Sequence, residues 1–102
     1  MLAISDDTLH ELRHLCRRHR LLRLDLFGSA ASGGYDPARS DLDLLVQFES
    51  MPPVEHAENH LAFLESLESL FARRVDLVNA DSIRNPYFRE SVERTRRQLY
   101  AA

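Results

Sequence analysis

The segment Asp41-Leu42-Asp43-Leu44-Leu45-Val46-Gln47-Phe48 constrains this chain more than any other. A strand sends alternate side chains to opposite faces. Leu42, Leu44, Val46 and Phe48 then share one face, and Asp41, Asp43, Leu45 and Gln47 share the other. The pattern predicts a strand over 41–48 with one face in a core and two carboxylates leaving the opposite face, their Cα atoms roughly 6.5 Å apart. Two carboxylates about 4 Å apart repel by roughly 4 kcal/mol at an effective dielectric near 20. Such a pair must splay into water, hold a proton on one member, or bind a divalent cation. Oxygen ligands suit Mg²⁺ or Mn²⁺, and no histidine or cysteine stands beside them to argue for zinc.

A third acid falls in Arg74-Val75-Asp76-Leu77-Val78, a short apolar run in which a carboxylate is otherwise unwelcome. If that strand pairs beside 41–48, Asp76 reaches the same edge, where it can hold a metal and accept the proton of an attacking hydroxyl. Taken alone the signal is weak. Asp-x-Asp is a common tripeptide, and Asp76 could merely pair with Arg74. A further element sharpens it: Leu26-Phe27-Gly28-Ser29 ends a strand in Gly-Ser ahead of small residues. Glycine lets the backbone approach a phosphate closely, N–H groups at a helix start attract anions, and the Ser29 hydroxyl can add a hydrogen bond.

The remaining elements follow from periodicity and punctuation. Thr8 and Glu11 have capping-box spacing, and a helix is expected from there to about His19, with Leu9, Leu12, Leu15 and Cys16 inward. Leu22, Leu24 and Leu26 alternate with Arg23 and Asp25 as a first strand. Ala30 and Ala31 begin a short helix before a stretch containing Gly33, Gly34 and Pro37. Pro53 opens a helix to Phe71 with Ala57, Leu61, Leu64 and Phe71 on one side. Val75–Val78 is a third strand. Asn85-Pro86 caps a last helix, with Phe88, Val92 and Leu99 as its apolar stripe. The order is helix, strand, strand, helix, strand, helix. This is an α/β fold with a small sheet flanked by helices, and the short link between the first two strands makes that sheet mixed.

With 102 residues, 44% of them hydrophobic and 28% charged, the expectation is one globular domain over 1–102. Such a domain has little room for a substrate-selecting module, so a partner is expected to supply one. A net charge of −3 argues against strong nucleic-acid binding by the chain itself. Basic residues cluster at Arg17, Arg18, Arg20 and Arg23 and again at Arg84, Arg89, Arg94, Arg96 and Arg97, as solvated helix faces or as a docking surface. One cysteine excludes an internal disulfide. The apolar runs are too short for a membrane span and no secretory signal is visible, so a cytoplasmic location is expected.

Together, Phe27-Gly28-Ser29 and Ser40-Asp41-Leu42-Asp43-Leu44-Leu45-Val46 resemble the signature of the DNA polymerase β-like nucleotidyltransferase superfamily, and within it the minimal nucleotidyltransferase (MNT) proteins. The resemblance extends to Asn85-Pro86-Tyr87-Phe88-Arg89 and to a C-terminal helix ending at Leu99-Tyr100. It implies that Gly28 and Ser29 bind nucleotide phosphates, that Asp41, Asp43 and Asp76 are catalytic metal ligands, and that two Mg²⁺ ions serve as cofactors with ATP as substrate. Many similar proteins are antitoxins, and the implied activity, of type VII character, is transfer of AMP to a tyrosine hydroxyl of a HEPN-type (HepT-like) ribonuclease toxin. That partner would also set the oligomeric state. Where the family often has arginine after Gly-Ser, this chain has Ala30, and Arg39 is the candidate substitute charge at the nucleotide. A toxin-binding module with a vestigial nucleotide site is the alternative.

His10-Glu11-Leu12-Arg13-His14 matches the zinc-protease pattern H-E-x-x-H. On a helix with Leu9, Leu12, Leu15 and Cys16 inward, both histidines face away, with no cleft and no third ligand.

Overall fold

A computed structural model of the chain describes residues 4–32 and 41–102. The first helix, α1 (Asp6–Arg18), leads into strand β1 (Leu21–Leu26), the short helix α2 (Ser29–Ser32) and strand β2 (Leu42–Phe48). Helix α3 (Pro53–Phe71) crosses to strand β3 (Val75–Asn79), and a 3₁₀ turn at Ala80–Ser82 precedes helix α4 (Pro86–Thr95) and strand β4 (Arg97–Ala101). The sheet order is β3-β2-β1-β4. β1 is antiparallel to both β2 and β4, while β2 and β3 are parallel. The sheet is therefore mixed, as the sequence predicts.

Local chemistry sets the helix ends. Ser5, rather than Thr8, caps α1, its side chain accepting from the Thr8 N–H. Asp6 and Asp7 in the first turn and Arg17 and Arg18 in the last complement the helix dipole. Asn85 caps α4 by accepting from the N–H groups of Tyr87 and Phe88, with Pro86 at the first helical position. α3 likewise starts at a proline and ends where Ala72 turns left-handed, φ 52°.

The main core lies on one face of the sheet. Leu42, Leu44 and Val46 are fully buried there with Phe48, Leu24 and Leu26, under Leu12 and Cys16 of α1 and Phe63 and Leu67 of α3. The buried side of α3 differs from expectation, since Ala57 and Leu61 are exposed. Apolar residues nearly encircle this helix, so period alone does not choose a face. A smaller cluster of Phe27, Leu45, Ile83 and Val92 occupies the opposite face beneath α4.

The larger correction is at the C-terminus. The expected last helix stops at Thr95, and residues 97–101 form a strand on the open edge of β1. Leu99 and Tyr100 thus reach the main core from a strand rather than from a helical stripe. Among the described residues, no helix is long and apolar enough to cross a membrane.

Candidate nucleotide and metal site

The site is built on the second face of β2. Asp43 leaves that face and is half-buried, while Asp41, just before the strand, is exposed. In the parallel pairing of β2 with β3, Asp43 stands directly opposite Asp76. Paired positions on neighbouring strands lie about 4.8 Å apart, so two carboxylates from distant stretches of sequence leave the sheet side by side. Leu45, next along the same face, packs with Phe27, Ile83 and Val92. This small apolar patch walls one side of the acids.

The electrostatic result is a raised Asp43 pKa. Burial is the main cause, followed by the charge of Asp76 and then that of Asp41. Desolvation and like charge both disfavour the ionised form. Hard oxygen donors crowded at their own electrostatic expense suit a divalent cation, so Asp41, Asp43 and Asp76 fit Mg²⁺ chemically.

The Gly-Ser turn comes to the same place. Phe27 N–H donates to the Asp43 carbonyl at 3.1 Å. Gly28 adopts φ +67°, and a Cβ built on it would sit 2.7 Å from Asp43 Oδ2. Only a residue without a side chain allows the backbone to lie this close to the carboxylate. Ser29 begins α2 immediately afterwards. Ala30 is fully buried in the main core, so the position after Ser29 is a packing position here. Arg39 falls outside the described residues.

Sequence reasoning missed two neighbours of the turn. Asp25, which the sequence shows only as a polar residue alternating with the leucines of the first strand, is wholly buried. It receives Arg23 Nε on Oδ1 at 3.0 Å and Arg96 Nε on Oδ2 at 2.6 Å. The other is Thr95, whose Oγ1 accepts from Gly28 N–H at 3.1 Å. Neither was accessible without knowing that the chain turns back into β4. Several arginines of the basic clusters have intramolecular partners: Arg20 bridges Glu49 and Glu55, and Arg89 donates to the Ile83 carbonyl.

The H-E-x-x-H pair lies apart from all this. His10 and His14 are exposed on α1 with their Nε2 atoms 3.3 Å apart. Among the described residues, no group of three histidine, cysteine or acidic side chains is arranged to hold a metal ion. That statement covers the acid triad too, whose carboxylates are near neighbours without forming a preset cage.

The mixed four-stranded sheet with flanking helices is the architecture of polymerase β-like nucleotidyltransferases. The Nucleotidyltransferase domain model matches residues 11–99, and the chain belongs to this family of nucleotidyl-transferring enzymes. It is 34% identical over 94 residues to a candidate protein adenylyltransferase of Methanocaldococcus jannaschii, covering 84% of this chain and 92% of that one. Among solved structures, a candidate minimal nucleotidyltransferase is 37% identical with TM-score 0.65, covering 89% of this chain and 88% of the other. A tri-AMPylated Shewanella oneidensis HEPN toxin in complex with an MNT antitoxin shares the fold at 20% identity and TM-score 0.64, covering 97% of this chain and 74% of that one.

Proposed function

We propose that this chain is a Mg²⁺-dependent protein adenylyltransferase that acts as an antitoxin, moving AMP from ATP to a tyrosine hydroxyl of a HEPN-type ribonuclease. The observation that carries this reading is the meeting of Asp43 and Asp76 on adjacent parallel strands with the Gly28 backbone against the Asp43 carboxylate. The adenylyltransferase relative supports the group transferred, and the AMPylated toxin held by an MNT antitoxin supports the class of acceptor.

In this reading Asp41, Asp43 and Asp76 would hold the metal, and Gly28 and Ser29 receive the triphosphate. Bound there, Mg²⁺ supplies neutralisation of phosphate charge and makes the acceptor hydroxyl more acidic. The tyrosine oxygen bonds to the α-phosphorus, the bond from that phosphorus to the pyrophosphate oxygen breaks, and Asp76 receives the hydroxyl proton directly or through water. The chain's own contribution is to hold the reactants in line and to counter charge. The acceptor hydroxyl belongs to the partner in this scheme.

A second reading, a binding-only antitoxin, draws on Ala30, whose buried methyl offers no cation to the phosphates. One experiment separates the two. The chain is incubated with a HEPN-type ribonuclease, ATP and Mg²⁺, and the ribonuclease is weighed by mass spectrometry. A gain of AMP is expected, reduced by at least about 10²-fold in rate in Asp43→Ala and Asp76→Ala. Undiminished transfer by both variants refutes the site, and tight association with no gain in mass favours the binding-only reading.

A further inference from the structure

The Gly-Ser turn is tied to α4 by a hydrogen bond from Gly28 N–H to Thr95 Oγ1, 3.1 Å. The Thr95 hydroxyl itself donates to the Ser91 carbonyl at 3.0 Å, one helical turn back, which leaves an oxygen lone pair for the glycine. The residue after it is anchored as well. Arg96 Nε reaches buried Asp25 Oδ2 at 2.6 Å, its Nη1 reaches Glu93 Oε1 at 2.5 Å, and its backbone N–H donates to the Val92 carbonyl at 2.8 Å. Asp25 lies on β1, two residues before Phe27. The end of α4 is thus pinned to the strand that leads into the turn. On its other side the turn touches the acids, where a Cβ on Gly28 would meet Asp43 Oδ2 at 2.7 Å.

We infer that Thr95 is a positioning residue for nucleotidyl transfer, a hydroxyl latch that sets the distance between the phosphate-receiving turn and the Asp43 carboxylate. The inference rests on the proposed role of Gly28 and Ser29 in receiving the triphosphate. Thr95 contacts no reacting group in this scheme and acts through Gly28. Two consequences follow from the chemistry. The Gly28 amide is already engaged, so it is not one of the donors that meet the nucleotide. The requirement at position 95 is a hydroxyl, which serine meets and the near-isosteric valine does not.

The test compares the wild type, Thr95→Val and Thr95→Ser in two measurements. The first is amide hydrogen exchange of Gly28 by NMR without nucleotide. The second is kcat and KM for ATP in AMP transfer to the ribonuclease. Thr95→Val is expected to speed Gly28 exchange by about tenfold or more relative to the amides of β1. It is also expected to lower kcat by about tenfold, with KM for ATP moving less than about threefold, because a displaced turn costs alignment more than affinity. Thr95→Ser should stay within about twofold of wild type in both. Cys16→Ala, which loosens the core on the far face, serves as the stability control and should change neither the relative Gly28 exchange nor kcat.

An unprotected Gly28 amide in the wild type overturns the latch without any variant. Unchanged Gly28 exchange in Thr95→Val overturns it too, as does faster exchange with unaltered kcat. A wild type that moves no AMP refutes the proposed function instead, and Gly28 exchange alone then decides whether the latch exists.

Discussion

The two faces of β2 belong to the same seven residues and obey different rules. On one, Leu42, Leu44 and Val46 are fully buried against α1 and α3, in a core that holds no carboxylate among the described residues. On the other, Asp43 shares its surroundings with Asp76 and Asp41, and burial acts against its charge. The first face supplies hydrophobic stabilisation, while the second gives some of it up to keep like charges together. The comparison teaches that stability and chemistry are divided by the pleat of one strand. Perturbations of the two faces should therefore have opposite signatures.

The largest effect on stability is expected from the apolar face. Phe63, fully buried, meets Phe48 edge to face and His19 at a tilt. Phe63→Ala should cost about 3–5 kcal/mol in urea unfolding while leaving transfer per folded molecule intact. If its specific activity falls as far as that of Asp43→Ala, the two faces are not separate.

Next is the ion pair beneath α4. Arg96→Met leaves buried Asp25 with Arg23 alone, and removing one partner of a buried pair costs about 3 kcal/mol. A change below about 1 kcal/mol in the same unfolding assay would mean that water reaches Asp25 and screens it.

The acid face predicts the opposite sign. Asp43 has a higher pKa folded than unfolded, so the native state holds the proton over the window between the ordinary carboxylate value and the raised one. Its contribution to stability therefore falls as pH rises through that window and stays unfavourable at neutral pH. Asp43→Asn should raise Tm by roughly 2–5 °C at pH 7 without divalent ions while losing transfer activity. Added Mg²⁺ should raise Tm of the wild type more than that of the variant. A lower Tm for Asp43→Asn would show that the carboxylate is structural.

The smallest effect concerns Cys16. Burial pushes its thiol up to about 12, with Arg17 opposing weakly. A thiol reagent at pH 8 should modify it only as fast as the chain opens, and labelling at the rate of a free thiol would place it outside the core.

Much of this fold is legible in the sequence because local signals agree with tertiary ones. The alternation in β2, Pro53 at the head of α3 and Asn85-Pro86 at the head of α4 each name their element. The legibility fails where only a distant partner decides. Arg96-Arg97-Gln98 has no strand signature and continues a polar helical pattern, yet the open edge of β1 draws 97–101 into the sheet. With β4 unseen, Asp25 reads only as a polar residue in an alternating strand and Thr95 as an ordinary position on a helix. The candidate site divides the same way. Spacing in β2 puts Asp41 and Asp43 together on one face, and the Gly-Ser turn marks the end of a strand. That Asp76 stands opposite Asp43 depends on the parallel register, which no local pattern specifies.

That register has a consequence for how the chain tolerates change in length. Asp43 faces Asp76 because Leu42 is aligned with Val75 and Leu44 with Leu77. Inserting or deleting a single residue in the middle of β2 would exchange inside for outside beyond that point. Carboxylates would be driven into the oily interior or leucines out into water. Length variation should be confined to the connections, and duplications or losses within 42–48 should be purged as misfolded chains rather than surviving as slow enzymes.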